Sequence, residues 1–157
     1  MDRIHQYIAD GRVQEPTYAK KRGIVLLRWV DDLLYISGHG PEDQVSGEPI
    51  FKGRIGSDLS REEGYQAARE CAKIILGVLK DTLGSLDFVS RFIKVFALVN
   101  CTEGFDDLEY VMDGFSDTIM AALEERGYHA RTVMGTHNLP NGNIPCEFEV
   151  IVEVKRT

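Results

Sequence analysis

The sequence predicts an α+β domain, a mixed β-sheet with two helices packed on one face. Three observations carry this expectation. Two β-forming runs, residues 24–30 and 33–37, flank an Asp31-Asp32 turn. Two long apolar stripes, beginning near Ser60 and Phe105, recur at the three- and four-residue steps of helices. Runs of strands stand on both sides of those helices, which favours segregated helices over alternating β-α units. The expected order is β-β-(β)-α-β-α-β-β. The 157 residues are enough for one domain with a core that needs no disulfide or metal.

Residues 1–20 read as an N-terminal extension and residues 21–157 as the domain. In the extension, Ile4, Tyr7 and Ile8 sit at helical spacing before Gly11 and Pro16 break the pattern. Ile24 to Val30 form the first strand and Leu33 to Ser37 the second. A loop with Gly38, Gly40, Pro41, Gly47 and Pro49 follows, then a short strand over 51–55 ending at Gly56. Ser60 and Glu63 form a capping box. Tyr65, Ala68, Cys71, Ile75, Val78 and Leu79 make the helix stripe, and Gly84 is its left-handed stop. Residues 92–99 are apolar on both faces, as in a central strand. In the second helix, Phe105, Leu108, Val111, Met112, Phe115, Ile119 and Leu123 make the stripe. Asp106 and Asp107 suit its positive end, and Gly127 closes it. The last strands, 131–135 and 146–154, are separated by Leu139-Pro140-Asn141-Gly142. Asn-Gly is a strong hairpin signal, so they are expected to pair antiparallel.

Strands 24–30, 33–37 and 92–99 are apolar on both faces, but two helices cover only one. The other face therefore asks for a partner, and self-association through it is the simplest answer. In the last strand, Phe148, Val150, Val152 and Val154 are expected to face the helices. Glu147, Glu149, Ile151 and Glu153 are expected on the open face, with Trp29 packing there too.

The net charge of −7 makes nucleic acid a poor partner, Lys20-Lys21-Arg22 being the only basic triplet. Three scattered cysteines, Cys71, Cys101 and Cys146, and four unclustered histidines suggest neither a disulfide framework nor a metal site. No apolar run approaches the roughly 18 residues of a membrane span. The start, MDRIHQYIADGR, lacks an apolar signal core, which predicts a cytoplasmic protein. No phosphate loop or nucleophile elbow is present.

Several segments resemble one family. Residues 33–41, Leu-Leu-Tyr-Ile-Ser-Gly-His-Gly-Pro, are similar to the LxxxSGxxP strand of the RidA (YjgF) family. Ala67, Ala68 and Leu76 with residues 83–89 are similar to its helix and GSLDxV turn. Residues 93–100 with Phe105 resemble its VxVFVxDxxDF segment. Most specific is Ala130-Arg131-Thr132-Val133 with Leu139-Pro140 and Glu147-Phe148-Glu149. It resembles ARxxVxVxxLPxxxxVEIE, with one extra residue between Pro140 and Cys146. The resemblance spans residues 23–154, and His129 and Gly135 point to a longer branch.

The resemblance implies a chorismate-mutase-like homotrimer with clefts between subunits. It also implies hydrolytic deamination of reactive 2-imino or enamine acids, of the 2-aminoacrylate type, to 2-keto acids and ammonia without a cofactor. By the same token Arg131 binds the substrate carboxylate and Glu147 is the catalytic group that orients or activates water. Ser37, Gly38 and Val133 complete the pocket. Ile24 stands where many members have tyrosine, and Glu109 where many have asparagine lining the pocket. Taken without the family, Arg131 reads as a structural partner of Glu147 or Glu149. The alternative function is a non-catalytic trimer that binds a small carboxylate metabolite. A holdase or ribonuclease, attributed to some relatives, is a third class, and the charge disfavours the ribonuclease.

Overall fold

The computed structural model describes residues 25–155. The expected helix in the extension, and Ile24, lie outside them. Among the described residues five strands form one sheet: β1 (Leu27–Val30), β2 (Leu33–His39), β3 (Val89–Asn100), β4 (Ala130–Thr136) and β5 (Cys146–Val154). Their spatial order is β1-β2-β5-β3-β4. All neighbours pair antiparallel except β3 and β4, which are parallel. The expected α+β class with a mixed sheet is therefore observed.

The pairing of the last two strands is a correction. β4 and β5 do not form a hairpin, because β3 lies between them. The turn chemistry is present: Asn141 (φ 50°) and Gly142 (φ 75°) both take positive φ. Asn100 at the end of β3 holds this loop across the strand end. Its buried Nδ2 donates to Asn143 Oδ1 (2.9 Å) and to the Ile144 carbonyl (3.1 Å). Its amide donates to the Pro145 carbonyl (2.8 Å). The loop thus steps over β3 instead of folding back on β4. The short strand at 51–55 is also reduced: only Ile55 makes bridges, to Leu59 and Cys101.

Helix α1 (Arg61–Leu83) begins with the expected capping box, Glu63 N donating to Ser60 Oγ at 3.1 Å and Ser60 N to Glu63 Oε2 at 2.7 Å. It ends at left-handed Gly84. Helix α2 (Leu108–Leu123) starts three residues after Phe105, which packs against the core as a partly buried flank. Asp107 precedes it but caps nothing, since its carboxylate accepts from Arg61 (3.0 Å).

Residues opposite one another across a sheet share a face. Leu34, Ile36, Val95, Ala97, Phe148, Val150 and Val152 share the helix side, and all are buried. Phe115 of α2 stacks on Phe148 at 4.4 Å. Trp29 lies opposite Leu34 and packs against this core, so it belongs to the helix side and not to the open face. The apolar character of residues 24–30 on both faces hid that choice. The other face carries Arg28, Tyr35, Lys94, Phe96, Leu98, Glu147, Glu149 and Ile151. There Val30 and Met134 are each 53% exposed. Cys71, Cys101 and Cys146 are all buried. Among the described residues no helix is long and apolar enough to cross a membrane.

Candidate functional site

The site residues fall into two groups. The first forms where β2 breaks register against β5. Ile36 pairs with Val150 and His39 with Phe148, so Ser37 and Gly38 together oppose Glu149. This is a bulge, a device that re-aims side chains next to it. Glu147 lies over it. A Cβ at Gly38 would stand 2.8 Å from Glu147 Cδ and 2.9 Å from its Cγ. Only a residue without a side chain leaves the Glu147 carboxylate where it is. Glu147 is half-buried. Burial, then the charges of Glu42 and Glu149, push its carboxyl above the ordinary range.

Ser37 serves the bulge rather than offering a free hydroxyl. Its Oγ donates to the Val25 carbonyl (3.0 Å) and its amide to the Leu26 carbonyl (2.8 Å). His39 Nδ1 donates to the Ser37 carbonyl (2.7 Å), and burial pushes the His39 pKa down.

The second group sits on edge strand β4. Arg131 lies opposite Val95, Val133 opposite Ala97, and both face the helix side. Arg131 Nη1 donates to Asp113 Oδ1 (2.6 Å) and Ser116 Oγ (3.2 Å), both on α2. Among the described residues no hydrogen bond uses its Nε or Nη2. That edge carries two parallel donors, the arrangement that takes a carboxylate bidentately. The pairing of Arg131 with Glu147 or Glu149 does not form, because Glu147 and Glu149 are on the opposite face. Glu109 is exposed in the first turn of α2. That turn covers the end of β4, since Leu108 lies 3.7 Å from where a Cβ on Gly135 would be.

Glu147 and Arg131 are thus two strands apart, roughly 10 Å across β3 and about as far again along it, since Arg131 pairs with Val95 and Glu147 with Leu98, and they lie on opposite faces. One chain does not bring them together.

No family model matches the chain. Protein TCP17 of Trypanosoma cruzi is 37% identical over 122 residues, 77% of this chain and 74% of that protein. The crystal structure of Atu1372, a protein of unknown function from Agrobacterium tumefaciens, matches with TM-score 0.80 and 31% identity, over 97% of this chain and 94% of its own. YyfA of Yersinia pestis, from the conserved Rid protein family, matches in fold with TM-score 0.63 and 20% identity, over 90% of this chain and 98% of its own. The chain belongs to the RidA (YjgF) family. Its five-stranded sheet with helices packed on it is the chorismate-mutase-like fold of that family.

In this Rid chain, sequence reasoning missed the acidic neighbour Glu42 and the α2 partners of Arg131. Glu42 lies in a loop without periodicity. Asp113 and Ser116, three residues apart, share a helix face that meets β4. That spacing was the available signal. Chemically, the bulge group supplies a carboxyl that holds its proton more tightly than a solvated one. The β4 group supplies an oriented cation. Among the described residues no group of three or more His, Cys, Asp or Glu is placed to hold a metal ion.

Proposed function

We propose that this protein hydrolyses reactive 2-imino or enamine acids of the 2-aminoacrylate type to 2-keto acids and ammonia. The site is a cleft shared by two chains of a homotrimer. The observation that carries the reading is Glu147, half-buried and seated over Gly38 in the bulge, with its pKa raised. A group that binds its proton more tightly is a stronger base for water and then a usable acid.

The Nε–Nη2 edge of Arg131 from one chain receives the substrate carboxylate. Glu147 of a second chain takes a proton from water as its oxygen adds to C2 of the imine, and passes that proton to the nitrogen. In the resulting carbinolamine Glu147 moves the hydroxyl proton to the amino nitrogen, and the C–N bond breaks to release ammonia as the C=O forms. Water supplies the oxygen of the 2-keto acid. No redox step, and no covalent nucleophile, enters this balance. The opposite faces of Arg131 and Glu147 support a site made from two chains.

The departure at exposed Glu109, where many members have an asparagine that lines the pocket, favours the second reading, a trimer that holds a carboxylate metabolite without turning it over. The assay generates 2-aminoacrylate or 2-iminobutyrate in place and follows imine loss. Acceleration by wild type that Arg131→Ala abolishes supports hydrolysis. No acceleration, together with a rise in melting temperature on adding 2-ketobutyrate, supports the binding protein. A stable monomer in sedimentation overturns both.

A further inference from the structure

Behind Arg131 lies a chain of hydrogen bonds with one consistent arrangement of protons. His129 Nδ1 is 2.7 Å from the Gly127 carbonyl, which accepts only, so Nδ1 carries a proton. His129 Nε2 is 3.0 Å from Ser116 Oγ. Arg131 Nη1, which donates only, is 3.2 Å from the same Oγ. In the neutral imidazole Nε2 is bare and accepts the Ser116 hydroxyl proton. The serine oxygen then has its lone pairs turned to Arg131. Asp113 accepts from the same Nη1 at 2.6 Å. Both protons of Nη1 are used, and the guanidinium is fixed with its other edge unengaged among the described residues.

We propose that Ser116 and His129 are positioning residues, which hold the Arg131 guanidinium so that its Nε–Nη2 edge meets the carboxylate of the ligand. The proposal rests on the reading of Arg131 as the carboxylate-binding group. Ser116 is 5% exposed, so its hydroxyl is a support for the arginine and not a nucleophile.

The arrangement needs a neutral His129. Burial, with the Arg131 charge adding to it, holds its pKa below the ordinary 6.5. The charged groups near its ring are Arg131 on β4 and, bonded to Arg131, Asp113 on α2. From β3 it meets the uncharged Phe92 ring, 6.2 Å away. Arg126 in the preceding turn donates to the Leu86 and Val89 carbonyls. Protonation of Nε2 removes the acceptor for the Ser116 proton and places a second cation beside Arg131. The serine hydroxyl must then turn, and the arginine loses its second anchor.

The test measures kcat and KM for 2-iminobutyrate hydrolysis between about pH 5 and 8, with 2-ketobutyrate affinity alongside. Ser116→Ala is expected to raise KM about tenfold with kcat little changed, and Ser116→Thr to restore it. Wild-type KM is expected to rise toward the acid end. His129→Gln offers an acceptor that does not titrate, so its KM profile is expected to be flatter. In nitrogen NMR at neutral pH, His129 Nε2 is expected to be unprotonated. A protonated Nε2 there, or Ser116→Ala with wild-type KM and affinity, overturns the proposal. If wild type binds 2-ketobutyrate without hydrolysing imine, hydrolysis fails and the variants' affinities still decide the positioning role. If it does neither, both fall.

Discussion

A carboxylate close to two others, with part of its water removed, holds its proton more tightly than a solvated one, and Glu147 is so placed beside Glu42 and Glu149. This has a cost in stability. Glu147 binds a proton more tightly folded than unfolded, so stability falls as pH rises from its unfolded value of 4.5 through the raised folded value. Above that window the loss is complete. Glu147→Gln is therefore expected to melt higher than wild type near neutral pH, with the gap closing in acid. If Glu147 is the base, the same substitution lowers kcat by about 100-fold or more. Melting curves against pH check the first outcome, and imine turnover checks the second. Gly38→Ala separates position from charge. Its new methyl displaces the Glu147 side chain from Cγ outward, which a flexible, half-buried side chain can yield by turning, so the melting point is expected to move little compared with turnover. Turnover is expected to fall about tenfold or more, and to fall with no change in titratable groups.

The two helices meet through glycines. A Cβ at Gly114 of α2 would lie 3.0 Å from the Tyr65 carbonyl carbon of α1, and backbone has little room to retreat. Gly64 of α1 likewise faces Val111 at 3.2 Å. Gly114→Ala is expected to destabilise the fold by about 3 kcal/mol through overpacking, readable in chemical denaturation. The same elements explain what the sequence made legible. The α1 boundaries follow from Ser60, Glu63 and Gly84, whose effects act within a turn of where they stand. The alternation from Cys146 to Val154 has one polar side, so its faces were readable. Trp29 was misplaced because its strand is apolar on both sides and a period of two then carries no direction. The β4–β5 hairpin failed for another reason. Asn141-Gly142 does turn the chain, but the partner of each strand is decided by the insertion of β3 and by Asn100, 41 residues before Asn141. In the site, the family motifs mark Arg131 and Glu147. Neither motif reveals Asp113 or Ser116, which reach Arg131 only once α2 packs against β4.

For the molecule as a whole, the open sheet face is the unfinished part of one chain. Val30, Tyr35 and Met134 are exposed there, beside a cavity of about 330 Å³ lined in part by Arg28, Lys94, Phe96 and Glu149. The proposed trimer would cover apolar surface that a monomer leaves in water. Sedimentation is expected to show three chains per particle, as closed cyclic symmetry permits. The separation of Arg131 and Glu147 on opposite faces then has a consequence for mixed populations. A chain with Arg131→Ala still lends a working Glu147 to its neighbour, and a chain with Glu147→Gln still lends a working Arg131. Two inactive preparations, unfolded together and refolded at equal amounts, are expected to regain about a quarter of the wild-type sites. Two copies of the gene, each carrying one of the two defects, would by the same reasoning rescue one another inside a single cell.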